Sequence, residues 1–174
     1  MRVPVSGGAR ELVMEFPSSN SDLDCPIRRG APCIIMEGRT FIAFDPLTGE
    51  RRELFRRDGD YNWTISPDGA HIAELRGNRI AIVSLTGRLE QTIEIKGWPY
   101  LATIDWAADG KSVLVSHSGS TLATLLRVKL NGQIEPIWEM QNVLSTWAVA
   151  SPDGHYLAIK GESLNSNVWL LENF

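Results

Sequence analysis

Helix signals are nearly absent from this sequence. No long segment places apolar residues at i, i+3, i+4 and i+7, which argues against a helical bundle or a strand–helix alternation. Long apolar runs are missing too. None approaches the roughly 18 residues a membrane helix needs, so no membrane insertion is expected. Met1 to Glu15 carries Arg2, Arg10, Glu11 and Glu15 without an apolar block. It does not read as a signal peptide, and the compartment stays open. Charge of one sign is also lacking. The net charge of -4 gives no footing for nucleic acid or an anionic membrane surface.

The motifs of catalysis are missing as well. No Ser stands in Gly-x-Ser-x-Gly, and His117-Ser118-Gly119-Ser120 has the residue types without the arrangement. No Gly-x-x-x-x-Gly-Lys-Ser/Thr loop occurs to cradle phosphate. There are 2 cysteines and no nearby histidine, which argues against a zinc site. No catalytic residue, metal or cofactor is therefore expected.

What is present is periodic. Apolar residues make up 43% and charged residues 22%, a balance that supports a packed core rather than disorder. Short apolar or alternating runs are divided by Gly, Asp, Asn and Pro, the pattern of an all-β chain. Ile65-Ser66-Pro67-Asp68-Gly69, Trp106-Ala107-Ala108-Asp109-Gly110 and Ala150-Ser151-Pro152-Asp153-Gly154 place glycines 41 and 44 residues apart. Ile27-Arg28-Arg29-Gly30 is a degenerate copy 39 residues before Gly69. A second marker runs in step: Val5-Ser6-Gly7-Gly8, Leu47-Thr48-Gly49-Glu50, Leu85-Thr86-Gly87-Arg88 and Leu130-Asn131-Gly132-Gln133, spaced by 41, 38 and 45 residues from Gly8. Two turn markers sharing one period of about 40 to 45 residues are what propeller blades produce. In each Asp-Gly turn the Asp bonds local backbone and the Gly takes the φ > 0 site.

The fold class expected is therefore all-β: a β-propeller of about four blades of four antiparallel strands, either a partial ring or one closed by an N-terminal strand. The blades fall at 22–57, 61–95, 101–140 and 145–174, the last lacking its outer strand, with end strands in 1–16. In the best-marked blade, strand a is Tyr61 to Ser66, b is His71 to Leu75, c is Arg79 to Leu85 and d is Leu89 to Ile95. Strand d alternates, with Leu89, Ile93 and Ile95 on one face. The next d strand places Ile134, Pro136, Trp138 and Met140 opposite Glu135 and Glu139. At the ends, Arg2 to Val5 reads as a strand c, Arg10 to Phe16 as a strand d and Asn167 to Leu171 as the last strand c. The chain could be part of a larger ring, close on itself, or pair with a second copy as a homodimer through blade edges.

The words Ser-Pro-Asp-Gly and Trp-Ala-Ala-Asp-Gly, each followed by a small apolar strand, resemble the WD-like repeat of the TolB propeller family. The usual pattern is Trp-Ser-Pro-Asp-Gly. Here Ile65 and Ala150 stand in place of the Trp, and Ala107-Ala108 in place of Ser-Pro. The resemblance runs from about residue 22 to 171. It implies a propeller that binds a protein partner or small ligand, without catalysis. It also admits an accessory or gating propeller of a larger enzyme, such as a peptidase or receptor kinase.

Few residues offer themselves as a site. Asp68, Asp109 and Asp153 read as turn residues, one per blade, and His71 and His155 as repeat features. Trp106, Trp138 and Trp169 lie within strands and read as core. Tyr61, Trp63, Trp98, Tyr100 and Trp147 lie at or near the connections into strand a, which line one mouth of a propeller. Of these, Tyr61, Trp98, Tyr100 and Trp147 form the candidate ligand surface, the alternative being packing between blades. Cys25 and Cys33 face each other across the first hairpin. They either bridge, implying a periplasmic or other extracytoplasmic setting, or stay as small buried thiols in a reducing one.

Overall fold

The computed structural model describes residues 6–15, 21–59, 62–119, 121–143 and 145–163. Among them are fourteen strands and no helix. The first sheet is β1 (Ser21–Asp24), β2 (Cys33–Glu37), β3 (Thr40–Phe44) and β4 (Arg51–Arg56). The second is β5 (Asn62–Ile65), β6 (His71–Arg76), β7 (Arg79–Ser84) and β8 (Leu89–Glu94). The third is β9 (Leu101–Trp106), β10 (Ser112–Ser118), β11 (Leu122–Lys129) and β12 (Ile134–Gln141). The fourth pairs β13 (Ser145–Ala150) with β14 (Leu157–Glu162). Each sheet is an antiparallel meander in chain order, the form of a propeller blade. The expected strands at Arg2 to Val5 and Asn167 to Leu171 lie outside the described residues.

The blades stack face on face. Ile34, Phe41 and Ala43 of the first bury against Ile65 and Ile72 of the second. Ala73, Leu75, Ile80 and Ile82 of the second meet Ile104, Trp106, Val113 and Val115 of the third. Leu114 and Leu125 of the third meet Ala148 of the fourth. Burying an Ile or Leu side chain contributes roughly 1.5–3 kcal/mol, so these interfaces carry the stability. Phe41 stacks on Phe55 at 4.8 Å and meets Trp63 edge-on at 5.2 Å between the first two blades.

The turns obey the chemistry expected of them. Ser66 Oγ donates to Asp68 Oδ1 at 2.6 Å and accepts the His71 N–H, while Asp68 Oδ1 accepts the Ala70 N–H at 3.0 Å. Ser151 and Asp153 repeat the arrangement with His155 and Tyr156. Both carboxyls are held below the ordinary Asp range, chiefly by the serine hydroxyl. Gly87 has a second reason to be glycine. Its φ is +82°, and a Cβ there would lie 2.9 Å from Phe55 of the preceding blade.

All three outer strands break the simple alternation, β4 doing so at Leu54, between the pairs Phe41–Phe55 and Ile42–Glu53. β8 carries a bulge where Ile82 pairs with Gln91 but Val83 pairs with Leu89, leaving Glu90 unpaired in the ladder. One extra residue flips the faces, so Leu89 is 52% exposed while Ile93 and Ile95 are buried. β12 has the same device at Ile137, between the pairs Leu125–Trp138 and Leu126–Pro136. Ile137 and Trp138 consequently both reach the cluster shared with the fourth blade, and Met140 is exposed.

Residues 10–15 form no continuous strand; Glu11 alone makes a β-bridge. Val13 and Met14 instead cover Cys33, Ile35 and Phe44 on the face of the first blade that turns away from the second. Cys25 and Cys33 are joined by a disulfide across the first hairpin. They oppose each other at a separation of eight residues, whereas Ile65 opposes Ile72, so this hairpin is one residue longer than its neighbour.

Among the described residues, one buried charge interrupts the apolar faces. Glu74 is fully buried on β6, where Arg57, just past β4, reaches its Oε2 at 2.8 Å and Arg76 reaches the same oxygen at 3.3 Å. Removing one member of such a group strands the others. Glu74→Ala is expected to lower stability by about 3 kcal/mol, and Gly87→Ala by about 2 kcal/mol through backbone strain and the Phe55 contact. Urea unfolding of the two variants checks both values.

Candidate functional site: the axial cavity

The four inner strands β1, β5, β9 and β13 line an open-sided cavity of about 370 Å³. Strand registers show how it is lined. Asp24 opposes Ile34, Thr64 opposes Ala73, Asp105 opposes Leu114 and Val149 opposes Ala158. These are equivalent positions, one per blade, and the first three share a sheet face with Ile34, Ala73 and Leu114, which pack on the following blade. Two residues earlier stand Asp22, Asn62, Thr103 and Trp147, a second ring. All eight line the cavity, together with Leu23, Trp63 and Ile104. The charged side chains among them are three carboxylates, with no cation.

Hydrogen bonds run from blade to blade along these rings. The Thr64 hydroxyl lies 2.9 Å from Asp24 Oδ2 and 3.5 Å from Asp105 Oδ1, bridging the first and third blades through the second. Asp24 is held further by the Ile65 N–H on Oδ2 at 2.9 Å and the Cys25 N–H on Oδ1 at 2.8 Å. The disulfide thus begins at the residue next to the cavity carboxylate. Asn62 Nδ2 donates to the Ala102 carbonyl. The Thr103 hydroxyl donates to the Thr146 carbonyl at 3.2 Å.

Asp105 is the electrostatic focus. Its pKa is pushed up to about 6, first by burial and then by the facing charge of Asp24, against the opposing pull of the Trp106 backbone N–H, the Trp147 indole and the Thr64 hydroxyl. Burial disfavours the ionised form and a like charge adds to that.

The aromatic residues singled out from sequence separate. Trp147 is 49% exposed and forms one wall of the cavity, and Trp63 contributes to another. Trp98 packs against the cluster between the second and third blades and meets the His117 ring edge-on at 5.3 Å. Tyr100 is 79% exposed with φ +57°, and neither Trp98 nor Tyr100 lines the axial cavity. Tyr61 lies outside the described residues. The turn aspartates Asp68, Asp109 and Asp153 bond their own turns. Sequence reasoning missed Asp24, Thr64 and Asp105. The signal was available in alignment of the repeats: Thr64, Asp105 and Val149 each stand five residues before the turn glycine.

No protein-family model matches the chain, and no curated protein matches it. Solved structures do. TolB from Acinetobacter baumannii aligns with 95% of this chain at a TM-score of 0.65 and 19% identity, over 43% of its own length. The TolB-designated protein from Agrobacterium tumefaciens aligns with 88% of this chain at a TM-score of 0.54 and 14% identity, over 73% of its own length. The chain therefore spans less than half of the Acinetobacter protein. At these identities the likeness is one of fold.

Because Asp105 titrates higher folded than unfolded, its contribution favours the native state most below the ordinary Asp range. That contribution is lost as pH rises through about 6. Asp105→Asn should therefore stabilise the protein at pH 7.5, on the order of 2 kcal/mol, and much less at pH 4. Thermal unfolding of both proteins across that range measures the difference.

Proposed function

We propose that this chain, whose fold is that of a TolB-like β-propeller, is a non-catalytic interaction module that takes a cationic segment of a protein partner into its axial cavity. The observation that carries this reading is the lining: Asp22, Asp24 and Asp105 around one opening, with the indole of Trp147 beside Asp105 and no cation among the lining residues. A lysine or arginine side chain entering there would gain charge-assisted hydrogen bonds and an indole face. The volume of about 370 Å³ suits one such side chain with its flanking backbone, near the lower end of ligand cavities. The Cys25–Cys33 disulfide supports an extracytoplasmic setting, since such bonds persist where the medium oxidises.

A second reading keeps the cavity and changes the context. The same fold also admits a propeller serving as the accessory or gating part of a larger enzyme.

Calorimetric titration at pH 7.5 with a lysine-rich decapeptide and its glutamate counterpart separates the alternatives. The lysine peptide should bind and the glutamate peptide should not. Trp147→Ala and Asp24→Asn should each weaken binding about tenfold or more, and Tyr100→Ala should leave it unchanged. Loss of binding in Tyr100→Ala with Trp147→Ala silent would move the site to the outer mouth.

A further inference from the structure

A second cavity, of about 870 Å³, opens between the second and third blades at the end that carries their Asp-Gly turns. It shares no lining residue with the axial cavity, and its volume lies in the range of small-molecule sites. Trp106 lines it. That residue is only 5% exposed and packs in the cluster between the two blades, yet its indole N–H has no hydrogen-bond partner among the described residues. A buried donor without an acceptor costs free energy that an incoming acceptor restores. The third turn also departs from its neighbours here. Ala108 lines the cleft, where the second and fourth blades carry Pro67 and Pro152 at the matching turn position.

The charged groups at the cleft divide by sign. Each carboxylate is already engaged. Asp68 accepts the Ser66 hydroxyl and the Ala70 N–H, and Asp109 accepts the Lys111 N–H. Glu90, carried by the β8 bulge, meets His71 and Arg88 at 3.1 Å each. The side chains of Arg28 and Lys111 line the same cleft and make no ion pair or hydrogen bond among the described residues. Pro67 brings their turns together. Its carbonyl accepts the Arg28 N–H at 2.8 Å, and its Cδ lies 3.9 Å from where a Cβ on Gly110 would stand. The groups left without a partner, the Trp106 N–H and these two cations, are all donors. Arg28, Arg88 and Lys111 balance Asp68, Glu90 and Asp109 in number, so an acid enters without meeting net negative charge. Ile82 and Leu130 add apolar surface. We propose that this cleft binds a small carboxylic acid with an apolar body, Arg28 and Lys111 pairing its carboxylate and Trp106 donating to it. The site is independent of the cationic reading of the axial cavity.

The probe is hydrocinnamate, a phenyl ring on a short chain that ends in a carboxylate. Hydrocinnamide offers the same body without charge, and acetate the charge without the body. Binding is followed at pH 7.5 by the indole N–H signals in NMR, the Trp106 signal being identified by its loss in Trp106→Phe. Hydrocinnamate should shift that signal saturably, with a Kd of about 1 mM. The amide and acetate should each bind about tenfold more weakly or worse. Arg28→Gln and Lys111→Gln, both at exposed positions, should each weaken hydrocinnamate about tenfold. Lys96→Gln, which removes a cation outside the cleft, should leave it unchanged. Equal binding of hydrocinnamate and its amide would overturn the proposal, as would full affinity in both cleft variants. A Trp106 signal that stays fixed at about 10 mM hydrocinnamate would remove the site, whatever the lysine peptide does at the axial cavity.

Discussion

A four-stranded antiparallel sheet whose two faces are both apolar has no stable place in water except between two others like it. That constraint runs through the whole chain. Ile34 and Phe41 need Ile65 and Ile72, Ile80 and Ile82 need Ile104 and Val113, and Leu114 needs Ala148. Twisted sheets stacked this way turn about an axis, and their first strands must meet there. The tight Asp-Gly turns let each blade double back quickly enough for the next to seat. Where an outer strand meets solvent, bulges at Leu54, Glu90 and Ile137 re-aim side chains.

The site is a by-product of the same stacking. Because the inner strands converge, residues some forty apart in sequence become neighbours at the axis. Asp24, Thr64 and Asp105 occupy one repeat position on three successive blades. Thr64 can therefore touch both carboxylates, although neither lies on its own sheet. Two acidic side chains brought together with limited water oppose each other's ionisation, and burial adds to the effect. Polar chemistry at the axis is thus sustained by apolar packing further out. The disulfide ties β1 to β2 at the residue beside Asp24, fixing the wall that bears the first carboxylate.

Much of the fold was legible because turn chemistry is local. Gly69, Gly110 and Gly154 all adopt positive φ, a demand that writes itself into sequence as Asp-Gly at a constant period. The opposition of Cys25 and Cys33 was readable for the same reason, since a hairpin pairs residues about its centre. The bulge at Glu90 was not readable, because no residue type announces it, and Leu89 was placed on the wrong face in consequence. The site was less legible than the fold. Strand residues such as Asp24 and Asp105 look like ordinary solvent-facing positions until the axis is known. Their repeat position holds Asp, Thr, Asp and Val, with no shared type to flag it. Tryptophan gave an ambiguous signal, since the same side chain braces His117 at Trp98 and walls the cavity at Trp147.

Everything claimed for the cavity depends on Asp24 and Asp105 confronting each other across Thr64. Carbon-detected NMR of the aspartate side-chain carboxyls, titrated from pH 3 to 8 in the ligand-free wild type and in Asp24→Asn, observes that confrontation directly. In the wild type Asp105 should titrate at about 6. In Asp24→Asn its midpoint should fall, because the facing charge has been removed. A wild-type Asp105 titrating near the ordinary Asp value of about 3.9, unchanged by Asp24→Asn, would contradict the convergence of the inner strands on a shared axial site.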